Sequence, residues 1–137
     1  MAASKFRFDF EKLETYQQAF RFNREIFKRS LKFHRLLQSS LGDQLRRAAL
    51  SILTNVAEGS GQDSRAQKKR YYKYAYNSAR EIIPILALAC SLAALNADEH
   101  EQYRGKMIGV IQMVAKLSLS AENKPKTKKG NAAQTQQ

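Results

Sequence analysis

The sequence predicts an all-α protein, an up-down-up-down antiparallel four-helix bundle with a disordered basic C-terminal tail. Apolar residues recur at three- and four-residue steps through four long segments, which is the spacing of a buried helical face. Only 2 Pro and 6 Gly interrupt 137 residues, so few turns are expected. Hydrophobic residues make up 43% and charged residues 26%, a globular balance. We expect the bundle over residues 10–119, between an N-terminal arm (1–9) and the tail (120–137).

The first two helices are predicted over residues 10–33 and 41–58. Asp9 is the expected N-cap of the first, because its carboxylate can accept a hydrogen bond from a free backbone N–H. Gly59 is expected to end the second, since Gly adopts the left-handed cap conformation without penalty. The apolar stripes are Leu13, Tyr16, Phe20, Phe27 and Leu31 in the first helix, and Leu41, Leu45, Ala48, Ile52 and Val56 in the second.

The third helix is predicted over residues 64–95, and Pro84 should kink or divide it, because proline removes one backbone hydrogen bond. Asp98 is the expected cap of a fourth helix, on which Gly105 and Gly109 favour close helix packing rather than catalysis. The apolar stripes are Tyr72, Ala75, Tyr76, Ala79, Ile82, Ile83, Leu86 and Cys90, then Tyr103, Met107, Val110, Ile111, Val114 and Leu117.

Patterns typical of an enzyme, a metal site or a membrane protein are missing from the sequence. No phosphate-binding glycine loop or nucleophile elbow occurs, so we expect no enzyme and no cofactor. The single cysteine, Cys90, excludes an intrachain disulfide, and no His and Cys cluster has the spacing of metal ligands. Neither a secretory signal nor a run of about 18–20 apolar residues is present. We therefore expect a cytoplasmic protein that does not bind membranes.

The chain is strongly basic, and its charge is unevenly distributed. The formal net charge is +12, and residues 20–80 hold 14 of the 24 Lys and Arg but four of the 12 Asp and Glu. Such a surplus favours a polyanion, here the backbone phosphates of RNA or DNA, because no base-reading motif occurs. The candidate contacts are Arg21, Arg24, Lys28, Lys32 and Arg35 on the first helix, and Arg65, Lys68, Lys69 and Lys73 on the third.

Each basic stripe has an alternative interpretation as a solvated surface. Like charges one helical turn apart repel, so two stripes with few acids nearby favour an anionic partner. In an up-down bundle the two stripes should lie toward opposite ends of one subunit. Tyrosines interleave with the second stripe; we expect Tyr72 and Tyr76 in the core or at a subunit interface, and Tyr71 and Tyr74 as candidates for stacking on bases.

Residues 44–59, QLRRAALSILTNVAEG, resemble the signature of the four helix bundle protein family, which includes proteins encoded in 23S rRNA intervening sequences. Residues 77–81 resemble a second family segment, with Asn77 where Gly is usual. The resemblance spans residues 10–118 and implies a ring-like homopentamer. In such an assembly, structural or interface roles are expected for Arg47, Ser51, Asn55, Glu58 and Glu81. Glu58 lies at the unfavourable end of the helix dipole and should have a basic or hydrogen-bonding partner, such as Arg47 or Arg80 of its own or a neighbouring subunit.

The same family includes the accessory variability proteins of diversity-generating retroelements, basic pentamers that bind a reverse transcriptase and its template RNA. The charge of +12 favours this type. The resemblance therefore implies an oligomeric accessory protein that binds RNA or DNA and assists a reverse transcriptase. The alternative is a structural or interaction protein of the rRNA intervening-sequence type that binds no nucleic acid.

Overall fold

The computed structural model describes residues 5–123, and these confirm the all-α prediction: four long helices form a bundle, and no strand occurs among them. A 3₁₀ turn at Asp9–Lys12 precedes the first helix, and a short helical turn, Arg35–Leu37, leads into a π-helical segment, Gln38–Gly42. The four long helices are α1 (Glu14–Ser30), α2 (Asp43–Ser60), α3 (Arg65–Ser91) and α4 (Ala97–Asn123).

The core lies along the bundle axis, between helices that each contact the next one, while α1 also contacts α4. The helices α2, α3 and α4 contribute their predicted apolar stripes, with buried residues at three- and four-residue steps. The predicted α1 stripe is wrong: Phe20 and Leu31 are 48% and 57% exposed, and the side of α1 that faces the core instead carries Ala19, Phe22 and Ile26. The fully buried large side chains include Phe22 and Ile26 from α1, Leu45, Ile52 and Val56 from α2, Ile82 and Leu86 from α3, and Met107 and Val114 from α4. Burial of this interior stabilises the fold.

α1 ends at Ser30, three residues before the predicted position. Phe33, only 3% exposed, turns into the core. The side-chain amide of Gln38 donates to the carbonyls of Leu31 and Phe33, at 2.8 and 2.9 Å, and so satisfies groups that a longer helix would pair internally. The chain therefore turns before Lys32.

Both acidic caps predicted from the sequence are wrong. Asp9 opens the short 3₁₀ turn, whose N-cap is Phe8. At α4, the Asn96 side chain accepts from the N–H of Glu99 at 2.8 Å, and the Glu99 carboxylate accepts from the N–H of Asn96 at 2.9 Å. This reciprocal capping box satisfies two groups, whereas Asp98 already lies within the first turn.

α3 is continuous through Pro84 and is not divided there, but it ends at Ser91, four residues earlier than predicted. Ala93 adopts a left-handed φ of 63°. The N–H groups of Ala94 and Leu95 then both donate to the Ala89 carbonyl, and Leu95 turns into the core at 1% exposed. Beyond it, α4 continues past the predicted end at residue 119, with Ala121 buried. The rest of the predicted tail, residues 124–137, lies outside the described residues.

Gly59 does not adopt a left-handed conformation, so its predicted role as a helix cap is wrong. It lies inside α2, where an added Cβ would meet two ring carbons of Tyr72 at 2.6 and 2.8 Å. Glycine is required here because α2 and the buried Tyr72 of α3 approach closely. The prediction of close packing at Gly105 and Gly109 is also wrong within this chain, since a Cβ at either position meets no atom within 4 Å.

Two polar contacts fix α1 against its neighbours. The buried Asn23 amide donates to the carbonyls of Ala19 on its own helix and Ala49 on α2, at 2.9 and 2.7 Å. Near the end of α1, the Arg29 guanidinium binds both Glu99 carboxylate oxygens at 2.6 and 3.0 Å, and it donates to the Ala94 carbonyl at 2.9 Å. Because the bidentate pair lowers the pKa of Glu99, this clamp should be sensitive to acid.

We expect Glu99→Gln to lower the free energy of unfolding by about 1 kcal/mol at neutral pH. The contribution of Glu99 is complete above the ordinary carboxyl pKa of 4.5, and it disappears as pH falls through the lower folded pKa. Urea denaturation should therefore give a difference between wild type and variant that shrinks below about pH 4. Glu101→Gln, an exposed neighbour, is the control. A difference that stays constant with pH would contradict this role.

Candidate nucleic-acid interface

Three predicted contact residues, Arg21, Arg24 and Lys28, lie on the solvent-facing side of α1, and we call them the α1 basic face. All three are exposed, at three- and four-residue spacing. With a rise of about 1.5 Å per residue, they extend over roughly 10 Å of helix. Lys32 and Arg35 are exposed too, but they follow the end of α1, so the predicted helical stripe is shorter than expected.

The α1 basic face is not neutralised within the described part of the chain. None of its residues makes an ion pair there, and neither does Lys32 or Arg35. The nearest acid in sequence, Glu25, is already bound by Lys106 of α4 at 2.7 Å. Positive charge at this spacing is unfavourable to the free helix and becomes favourable when an anion binds.

Two lysines of the predicted α3 stripe bind partners within the chain. The Lys68 ammonium donates to the carbonyls of Gly59 and Ser60, at 3.4 and 2.9 Å, and so caps the end of α2. Lys69 pairs with Glu122 of α4 at 3.2 Å. Arg65 and Lys73 are exposed. Lys68 and Lys69 therefore have roles within the fold. The spacing of the basic residues along α3 did not predict these roles.

The contacts place the two basic clusters toward opposite ends of the bundle, so they do not form one surface within a subunit. The end of α1 meets the start of α4 through Arg29 and Glu99. The start of α3 meets the end of α2 through Lys68 and the end of α4 through Lys69. A ligand that contacts both clusters would have to follow the long axis or bridge subunits.

The signature residues of α2 have partners within the chain, with one exception. The hydroxyls of Ser51 and Ser78 are 2.8 Å apart and join α2 to α3. The Asn55 amide donates to the Ser51 carbonyl at 2.8 Å. Arg47 pairs with Asp43 rather than with Glu58, because that acid lies one turn away on its own helix. Glu58 is exposed and has no ion pair among the described residues, so neither Arg47 nor Arg80 of its own chain pairs with it. A partner from a neighbouring subunit stays a prediction. Glu81 is exposed as well.

Sequence reasoning missed the role of Arg46, although it belongs to the same signature. Its guanidinium donates to the buried Ser30 hydroxyl at 2.7 Å and to the Gln38 carbonyl at 3.0 Å. It thereby fixes the turn between α1 and α2. Nothing in the periodicity distinguishes this inward arginine from its exposed neighbour Arg47; only the signature could have indicated it.

Tyrosines of α3 divide as predicted between core and surface. Tyr72 is buried, and burial raises the pKa of its hydroxyl. Tyr76 packs against the core. Tyr74 is 41% exposed, and the half-buried Tyr71 contacts its ring edge-on. Exposed aromatic surface therefore lies beside the basic residues of α3.

A second exposed aromatic surface lies at the N-terminal end of α1, and we call it the aromatic ladder. Its ring centroids follow one another at 5.0 to 6.1 Å. Three of its members are strongly exposed: Phe6 at 70%, Phe8 at 57% and Phe20 at 48%. Exposed apolar patches of this kind mark sites of protein contact. The ladder consists of Phe6, Phe8, Phe10, Tyr16 and Phe20.

Other kinds of site find little support in the part of the chain that is described. No group of three or more His, Cys, Asp or Glu there could hold a metal ion. No helix within residues 5–123 is long and apolar enough to cross a membrane. Cys90 is partly buried, and the Nε2 atom of His100 is buried without a hydrogen-bond partner.

Comparisons with known proteins identify a family and show likeness to solved structures. The family model described as 23S rRNA-intervening sequence protein matches residues 11–116. The fold is similar to the crystal structure of a protein with unknown function from the S23 ribosomal protein family of Bacteroides thetaiotaomicron. That likeness has a TM-score of 0.69 and 16% identity, and covers 77% of this chain and 95% of the other. A comparison with curated proteins gives no match.

Proposed function

The chain belongs to the 23S rRNA-intervening sequence protein family, and from this premise we propose that it is a cytoplasmic, non-enzymatic accessory protein that binds the backbone of RNA or DNA. The observation that carries the proposal is the α1 basic face, whose three charges have no ion pair among the described residues. Ammonium and guanidinium groups presented in this way bind phosphates and release the counterions condensed on the nucleic acid.

The distribution of acids supports a phosphate partner over a simple solvated surface. Two other cations, Arg29 of α1 and Lys106 of α4, do have carboxylate partners, Glu99 and Glu25. The α1 basic face receives none, although Glu25 lies directly beside Arg24 in sequence. Contacts of this type position the ligand and carry no sequence information, so binding should be sequence-independent.

The partner that we propose is a reverse transcriptase with its template RNA, as in a diversity-generating retroelement. The support is the net charge of +12, which suits a protein that holds nucleic acid beside an enzyme. A reverse-transcriptase gene beside a template and variable repeat pair would be the expected genetic context. A location inside a 23S rRNA insertion would instead favour a structural or interaction protein that binds no nucleic acid.

The assembly that we propose is a homo-oligomer, a ring of five, in which the aromatic ladder packs against a second copy of the chain. Its exposed rings, Phe6, Phe8 and Phe20, would lose their contact with water there. A ring would also repeat the α1 basic face around one assembly. Light scattering should give about five times the 15.6 kDa of one chain, falling when Phe6 and Phe8 are replaced by Ser; a monomeric wild type would rule this out.

Direct binding tests the proposed function. Fluorescence anisotropy of a labelled RNA and of a DNA of the same sequence should report binding to both at about 50 mM salt. The α1 basic face predicts similar affinity for unrelated sequences of equal length. Failure to bind either nucleic acid at that salt concentration would leave the structural alternative.

A further inference from the structure

An ordered pair of side chains stands on the exposed surface of α3. Arg70 donates through Nε to the Tyr74 hydroxyl at 2.8 Å, and its guanidinium carbon lies 5.8 Å from the centre of the Tyr74 ring. From the neighbouring turn, the Tyr71 ring meets that of Tyr74 edge-on, with centroids 5.8 Å apart and planes at 87°. The Tyr74 ring is therefore held on two sides before any ligand arrives.

The position of this ring is informative because it is still 41% exposed. The core of the bundle does not need it, since Tyr72 and Ala75 on the other side of α3 already fill the interior. Lys73, next to it in sequence, is exposed. An aromatic face that is fixed in direction and flanked by cations has the parts of a base-stacking surface.

We propose that Tyr74, oriented by Arg70 and Tyr71, is a stacking platform for an unpaired base, so that the ligand at α3 is single-stranded nucleic acid. This inference rests on the proposed nucleic-acid binding and specifies its ligand. A duplex keeps its base faces stacked on one another, whereas a single strand can place one on a protein ring. Because Arg70 and Tyr71 already contact the ring in the free protein, binding should cost less side-chain entropy than at an unsupported ring.

The alternative is that Arg70 and Tyr74 only support α3 as neighbours one helical turn apart. Two variants separate these roles. Tyr74→Phe keeps the ring and its contact with Tyr71 but loses the hydroxyl that Arg70 binds, so stacking should survive in weaker form. Tyr74→Leu keeps an apolar side chain but removes the ring, so stacking should be lost while the helix persists. Circular dichroism of both variants establishes that α3 still folds.

The probes are a labelled oligothymidylate and an abasic oligomer of the same length, which has the phosphates without the bases. Wild type and Tyr74→Phe should bind oligothymidylate more tightly than the abasic strand. Tyr74→Leu should lose about tenfold in affinity for oligothymidylate and keep its affinity for the abasic strand.

Each other outcome has a definite meaning. Equal affinity of wild type for both oligomers would overturn the platform and leave backbone binding intact. An equal loss for both oligomers in Tyr74→Leu would likewise overturn it, because it would show a general effect on the surface. Absence of binding to either oligomer would overturn the proposed function together with this inference.

Discussion

Replacing Gly59 with Ala should destabilise the fold by roughly 1–3 kcal/mol, the range for overpacking a closed core site. The added Cβ would lie 2.6 and 2.8 Å from two ring carbons of Tyr72 and 3.2 Å from the Cβ of Tyr71. The Tyr72 ring has no free space to move into, because it is only 4% exposed. Urea denaturation followed by circular dichroism should therefore show a lower midpoint.

Gly105→Ala is the matched control, since it makes the same change on an exposed part of α4. No atom lies within 4 Å of its new Cβ. Alanine should therefore raise the free energy of unfolding by up to about 1 kcal/mol through helix propensity alone. If Gly59→Ala were as stable as Gly105→Ala, the close approach of α2 to Tyr72 would be refuted.

Replacing Arg24 and Lys28 with Gln should weaken nucleic-acid binding by on the order of 10- to 100-fold at about 0.1 M salt. For each phosphate contact, the association constant varies as roughly the −0.9 power of the salt concentration. Lowering the salt concentration from 1 M to 0.1 M therefore raises the association constant by a factor of about 8 per contact. Both residues are exposed and have no ion pair among the described residues, so their loss should leave stability unchanged. Anisotropy at one salt concentration measures the effect.

The matched control replaces Arg104 and Lys116 of α4 with Gln. Both are exposed, and the double substitution removes the same net charge. Only the general attraction of a basic protein for a polyanion should change, so the loss of affinity should be several times smaller. Equal losses in the two double variants would mean that total charge, rather than the α1 basic face, determines binding.

The sequence predicted the helices well because their burial pattern is periodic, and it failed where single contacts decide. Apolar spacing located all four helices and the core residues of α2, α3 and α4, including Ile52, Ile82 and Met107. In α1 it selected Phe20 and Leu31, which are exposed, and missed the buried Phe22. It could not place the end of α1, which depends on Phe33 turning inward. The sequence also could not show whether Gly59 ends α2 or allows α3 to pack closely against it. Close approach of two helices leaves no periodic pattern in the sequence.

For the candidate site, the sequence identified the basic residues but not the contacts that several of them make within the chain. Charge and spacing correctly indicated that Arg24 and Lys28 are exposed. They gave no indication that Lys68 caps α2 or that Lys69 pairs with Glu122, because those partners are remote in sequence or belong to the backbone. For the same reason the inward Arg46 was missed.

The salt dependence of binding tests the central claim, that the α1 basic face binds phosphates, most directly. The measurement is the observed association constant for a labelled DNA duplex between about 50 and about 200 mM salt. If Arg21, Arg24 and Lys28 each contact one phosphate, the logarithmic slope should be about −2.7 or steeper, and it should fall in magnitude by about 1.8 in the Arg24 and Lys28 double variant. A slope near zero, or one that the double variant leaves unchanged, would contradict the claim.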